Sequence, residues 1–170
     1  MTIRWKPGLT TLTAIVSLWC LILLNAPLWD HLVSIRPIAG LGDFAFLVSF
    51  ALLAGLATNL FLTPLTLIRP LAKPLLALVL VLAGAASYFV DAYGVLIDKV
   101  MIRNVLETNA TESAELLTGR MLLQVGVLGV LPALLLLMMP ITRKTWRGEL
   151  RDRGIALALT VLGVGVIAGF

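Results

Sequence analysis

Asn104, Thr108 and Glu112 recur at intervals of four, and Tyr93 lies eleven residues ahead of the first. An amide, a hydroxyl, a carboxylate and a phenol are groups that could seat a zwitterionic headgroup. The carboxylate pairs with an ammonium, while amide and hydroxyl donate to phosphate oxygens. One unbroken helix would put Asn104, Thr108 and Glu112 on one side but spread them over ~12 Å of axis, wide for a small headgroup. A break near Thr108 and Asn109 would fold them inward, and Tyr93 could approach the same spot. Spacing alone favours a plainer account of these residues, a solvated helix face followed by a cap.

These residues belong to SYFVDAYGVLIDKVMIRNVLETNATESAELLT, a polar stretch between two long apolar runs. Within it Ile97, Met101, Ile102, Val105 and Leu106 recur at three and four, with Asp98, Lys99, Arg103 and Glu107 on the other face. That pattern predicts a helix lying flat at a membrane surface. The helical signal weakens at TNAT, where Asn109 followed by Glu112 fits a capping box and starts a second short helix. Asn109-Ala110-Thr111 is also a glycosylation sequon, and the cap is the preferred reading. Asp91 and Asp98 read as solvated or helix-terminal groups. Arg103 and Arg120 read as snorkelling residues or contacts to anionic lipid.

The rest of the chain must position this segment. It is 60% hydrophobic and 13% charged, with a mean hydropathy of +1.05, against roughly a quarter charged in soluble domains. A membrane protein follows, in which small-residue packing substitutes for the hydrophobic effect between helices. Five apolar runs lie near the ~20 residues needed to cross a bilayer, at about 9–28, 44–63, 71–90, 121–140 and 154–170. The fold class expected is all-α, a five-helix transmembrane bundle with an interfacial helical segment at about 91–118 between spans three and four. The first run has the basic start of a signal peptide but is too long and lacks a cleavage site, so an uncleaved anchor is expected. The last run stops in mid-pattern, as in a fragment of a longer chain.

Basic residues set the orientation. With the N-terminus inside, that side holds Arg4, Lys6, Arg69, Lys73, Arg143, Lys144, Arg147, Arg151 and Arg153, against Arg36, Lys99, Arg103 and Arg120 outside. The polar segment then lies outside, as does anything following Phe170. Pro64, Pro70 and Pro74 are expected to end or reset helices in a tight turn, and Pro132 to kink span four, its freed carbonyl satisfied by a neighbour. The basic loop ITRKTWRGELRDR reads as topology signal and lipid contact. No acid or base falls near a predicted midplane, which disfavours an ion-coupled transporter. Asn59 and Gln124 are expected to bond between helices. Cys20 reads as a buried apolar residue. With His31 as the lone histidine, no metal site is expected in this chain.

The run YFVDAYGVLIDKVMIRNVLETNATESAELL resembles the N-terminal membrane domain of the lipid A phosphoethanolamine transferases, a family that includes the mobile colistin-resistance enzymes. Its third span ends in a Tyr-Phe-x-x-x-Tyr-Gly-x-x-Ile-Asp pattern, here Tyr88, Phe89, Tyr93, Gly94, Ile97 and Asp98. A Met-Ile-x-Asn-x-x-x-Thr-x-x-x-Glu pattern follows, here Met101, Ile102, Asn104, Thr108 and Glu112. The five-span layout agrees along the whole chain. The resemblance implies an enzyme of the Gram-negative inner membrane, N-terminus cytoplasmic and C-terminus periplasmic. Its helices anchor a periplasmic zinc domain with a threonine nucleophile, which moves phosphoethanolamine from phosphatidylethanolamine to lipid A. It also implies that Tyr93, Asn104, Thr108 and Glu112 hold the donor headgroup. The partners implied are the donor and acceptor lipids, surrounding membrane lipids and the chain's own catalytic domain, with no nucleic acid. The catalytic domain, its threonine and its zinc ligands are not in this sequence, so transfer by this part alone is not expected. The alternative is a non-catalytic membrane scaffold whose surface helix binds lipid.

Overall fold

The computed structural model describes residues 6–94, 117–142, 148, 151–156, 158 and 162. Among them every regular element is helical. The elements are α1 (Leu9–Leu23), α2 (Ala26–Ile35), α3 (Leu41–Leu62), a short 3-10 turn (Thr63–Thr66) and α4 (Arg69–Tyr93). Then come α5 (Gly119–Val125), a π turn (Gly126–Val130) and α6 (Leu131–Met138). α5, the π turn and α6 form one span, Gly119–Met138. Among the described residues three helices are long and apolar enough to cross a membrane, or four with the bent pair α1–α2 counted as one span. The expected fifth run, 154–170, falls almost wholly outside the described residues.

α4 occupies the middle of the bundle, with α6 and the π turn against one side, α1 against another, and α3 packed on α1. Its central place follows from a row of mostly small or aliphatic residues at every fourth position. Ala72, Leu76, Leu80, Gly84 and Tyr88 are all buried, and spacing by four lines them along one face. Gly84 meets Gly129 of the π turn so closely that a Cβ on Gly84 would lie 2.9 Å from the Gly129 Cα. Backbone approach through small residues is what a bundle needs where lipid is as apolar as leucine. The outer faces carry exposed Leu18, Leu52, Leu82, Leu122 and Leu134, a surface suited to hydrocarbon rather than water.

Polar side chains within the apolar runs are used for packing. Thr13 and Ser17 donate back to Leu9 O and Thr13 O at 2.9 and 2.8 Å. Asn59 Nδ2 reaches Ser17 Oγ at 3.3 Å and so ties α3 to α1, the interhelical role expected for it. Cys20 is buried in the core, also as expected.

Two expectations need correcting. The run 9–28 is not one straight helix. α1 ends at Leu23 and the chain turns by 56° into α2, because Pro27 has no N–H to offer the Leu23 carbonyl. Asn25 Nδ2 and Trp29 Nε1 cap the end of α1 instead, donating to Cys20 O and Leu21 O at 2.8 Å each. Pro74 does not end a helix, for α4 runs through it. The carbonyl it would have bonded belongs to exposed Pro70 in the first turn, where the loss costs least. α4 continues to Tyr93, a turn past the expected end of the third run, with its candidate span ending at Ala92.

At Pro132 the disturbance takes the form of the π turn, in which Leu131 N–H bonds to Gly126 O. The carbonyl four residues before Pro132 is that of Leu128, and it accepts the Trp19 indole N–H at 2.9 Å. A neighbouring helix thus satisfies the oxygen the proline ring cannot serve.

Candidate functional site at the acidic end of the bundle

The two ends of the bundle differ in charge. At one end Thr142 N–H and Oγ1 bond to Pro7 O and Lys6 O, which holds the α6 exit against the N-terminus. Lys73 Nζ caps α6 by donating to Leu137 O and Met139 O, and buried Arg153 donates to Thr66 O. A cation beside helix carbonyls is the favourable arrangement. Here basic residues complete the structure, a use the topology reading alone did not foresee.

The other end is acidic. Arg36 and Asp43 pair at 2.8 Å across the turn from α2 to α3, where Ala39 N–H also donates to Asp43 at 3.2 Å and the Arg36 guanidinium lies 4.6 Å from the Phe46 ring centre. The exit of α4 is joined to the start of α5. Tyr88 OH and Thr118 Oγ1 are 2.9 Å apart, Thr118 caps α5 by accepting from Met121 N–H at 3.2 Å, and Arg120 reaches Asp91 at 3.2 Å. Gly94 stops α4 with φ +62°, a conformation open to glycine without penalty. The chain therefore leaves α4 and rejoins α5 at adjoining points.

Beside this junction the bend between α1 and α2 opens a groove of about 640 Å³. Cys20, Leu24 and Leu28 line one wall, and Ala83, Ala86 and Val90 of α4 the other. Small side chains on α4 leave the gap that larger ones would fill. A shallower polar mouth adjoins it, lined by Asp30, His31, Ser34, Asp91 and Gly94. Sequence reasoning missed this site. Asn25-Ala26-Pro27 was the available signal, a breaker inside an apolar run.

Of the sequence-predicted headgroup residues, Tyr93 is the last residue of α4, at the lip of the junction. Asn104, Thr108 and Glu112 lie outside the described residues, as does most of the predicted interfacial segment. Among the described residues no three His, Cys, Asp or Glu side chains converge as metal ligands would.

The described architecture is that of a multi-pass helical membrane domain. Residues 54–170 match the family described as phosphoethanolamine transferase EptA/EptB, and the chain belongs to that family. It is 36% identical over 91 residues to phosphatidylethanolamine transferase Mcr-1 of Escherichia coli, a match covering 53% of this chain and 17% of that protein. To phosphoethanolamine transferase EptA of Escherichia coli K12 it is 37% identical over 97 residues, covering 56% and 18%. Its fold matches the integral membrane lipooligosaccharide phosphoethanolamine transferase A (EptA) from Neisseria meningitidis with a TM-score of 0.86 at 31% identity, over 96% of this chain and 30% of that one. The chain thus spans less than a fifth of the length of these curated relatives.

Proposed function

We propose that this chain is the anchoring and donor-binding part of an inner-membrane enzyme that moves phosphoethanolamine from phosphatidylethanolamine to a lipid A phosphate. The observation that carries the reading is the family match over residues 54–170, which takes in Tyr93, Asn104, Thr108 and Glu112. In the full-length protein a periplasmic zinc domain following residue 170 supplies the chemistry. The residues here seat the donor: Glu112 pairs with its ammonium, while Asn104 and Thr108 donate to its phosphate and Tyr93 closes the site from the end of α4. Adding an ammonium to lipid A offsets phosphate charge, which weakens its hold on polymyxin and other cationic peptides.

The charge difference between the two ends supports an orientation. Lys6, Arg69, Lys73 and Arg153 belong to the cytoplasmic end by the positive-inside rule, which sets the junction of α4 with α5 at the periplasmic surface. The bundle then serves to hold a polar hairpin at the outer leaflet, where donor and acceptor lipids are both reached.

Replacing Glu112 by Ala in the full-length protein tests the assignment. Loss of a charge-assisted partner should lower phosphoethanolamine transfer to lipid A by about tenfold or more, read by mass spectrometry of extracted lipid A at matched expression. Unchanged transfer would remove Glu112 from the site.

A further inference from the structure

The groove beside the junction has an order of polarity along its length. Its deep part is apolar, made by Cys20, Leu24 and Ala83. Next comes Ser87, only 6% exposed, which lines the groove with a hydroxyl beside apolar Ala83, Ala86 and Val90. About 6 Å further along α4, one turn on, stands Asp91, with Asp30 and His31 facing it across the mouth. Asp91 is held by Arg120, and Asp30 has no ion pair among the described residues. Among the described residues the mouth therefore has one carboxylate without an ion pair, that of Asp30.

A glycerophospholipid has the same order: tail, ester, phosphate, then headgroup. We propose that this groove docks one molecule of phosphatidylethanolamine before the hairpin takes its headgroup, its acyl chain between Leu24 and Ala83, an ester oxygen accepting from Ser87, and its ammonium at Asp30, from which it passes to Glu112. This deepens the donor-binding reading and rests on it. The groove volume of about 640 Å³ is within the ~300–1,000 Å³ typical of ligand sites. A tail gains no hydrophobic free energy on leaving a bilayer for a protein wall that is equally apolar. Selection must therefore come from the polar contacts, which points to Ser87 and Asp30 as the residues that distinguish this lipid from its neighbours. The α1–α2 wall that supplies Asp30 precedes the residues matched to the family, 54–170.

The test uses the full-length protein in nanodiscs of equal phosphatidylethanolamine and phosphatidylglycerol, with retained lipids counted by native mass spectrometry. Wild type should retain phosphatidylethanolamine in preference. Asp30→Asn should reduce that preference about 2- to 5-fold, as for an exposed ion pair, and Ala86→Phe should expel both lipids by filling the groove. Leu82→Phe, on an exposed face, is the control and should change neither; melting temperature establishes that each variant is folded. Equal retention of the two lipids by wild type would overturn the proposal, as would preference unaltered in Asp30→Asn and Ala86→Phe alike. If Glu112→Ala still abolishes transfer in that case, the groove assignment alone has failed. If Glu112→Ala is inert while the groove variants lose the lipid, the hairpin assignment has failed and the groove stands.

Discussion

Replacing Gly84 by Ala probes the contact that sets α4 against the π turn. The new Cβ would lie 2.9 Å from Gly129 Cα and 3.1 Å from Gly129 N, where carbon atoms prefer ~3.5–4.0 Å. Both sides of the contact are backbone, so no rotamer change relieves it and the helices must separate. Overpacking of this kind costs ~1–3 kcal/mol. Alanine returns up to ~1 kcal/mol through its better helix propensity, which would blur the result. Gly126 provides the correction, since it lies in the same π turn and a Cβ there meets nothing within 4 Å. Comparing Gly84→Ala with Gly126→Ala cancels the propensity gain and leaves the clash, a difference of ~1–3 kcal/mol or about 5- to 150-fold in the unfolding equilibrium. Reversible unfolding of the full-length protein in mixed detergent micelles, followed by tryptophan fluorescence, measures it. Equal stability of the two variants within ~0.5 kcal/mol would refute the close-packing argument.

Two further variants probe the features flanking that contact. Trp19→Phe keeps the ring but withdraws the N–H from Leu128 O, and should lower stability by ~0.6–1.7 kcal/mol, as for interhelical hydrogen bonds in membranes; the same micelle titration measures it, and no change would mean the oxygen finds another donor. Thr118→Ala removes both the α5 cap and the partner of Tyr88, with an expected loss of ~0.5–2 kcal/mol. Tyr88→Phe added to it should cost less than it does alone, because the two share one bond; full additivity in thermal melts would show the 2.9 Å contact to be without energetic weight.

Much of the bundle was legible in the sequence because a membrane span declares itself by length and hydropathy. α3, α4 and Gly119–Met138 follow the expected runs to within three residues at either end. The break after Leu23 was not legible in that way, since an averaged hydropathy passes smoothly over Asn25 and Pro27. Pro132 announced a disturbance, yet the donor that answers it is Trp19, more than a hundred residues away, and only tertiary contact could pair them. The basic residues were read as topology markers, and Lys73 also caps a helix. The groove depends on small residues of α4 facing a bend in another helix, which no local pattern encodes. For the headgroup site the legible signal was the chain's likeness to a known motif; spacing alone favoured a solvated face.

The account depends on where Asn104 lies relative to the membrane. A single cysteine at that position, with Cys20 replaced by Ala, can be challenged in intact spheroplasts with a membrane-impermeant maleimide. Labelling from the periplasmic side without lysis is the predicted result. Labelling only after the inner membrane is broken would place the segment in the cytoplasm and contradict the proposed role in holding the donor.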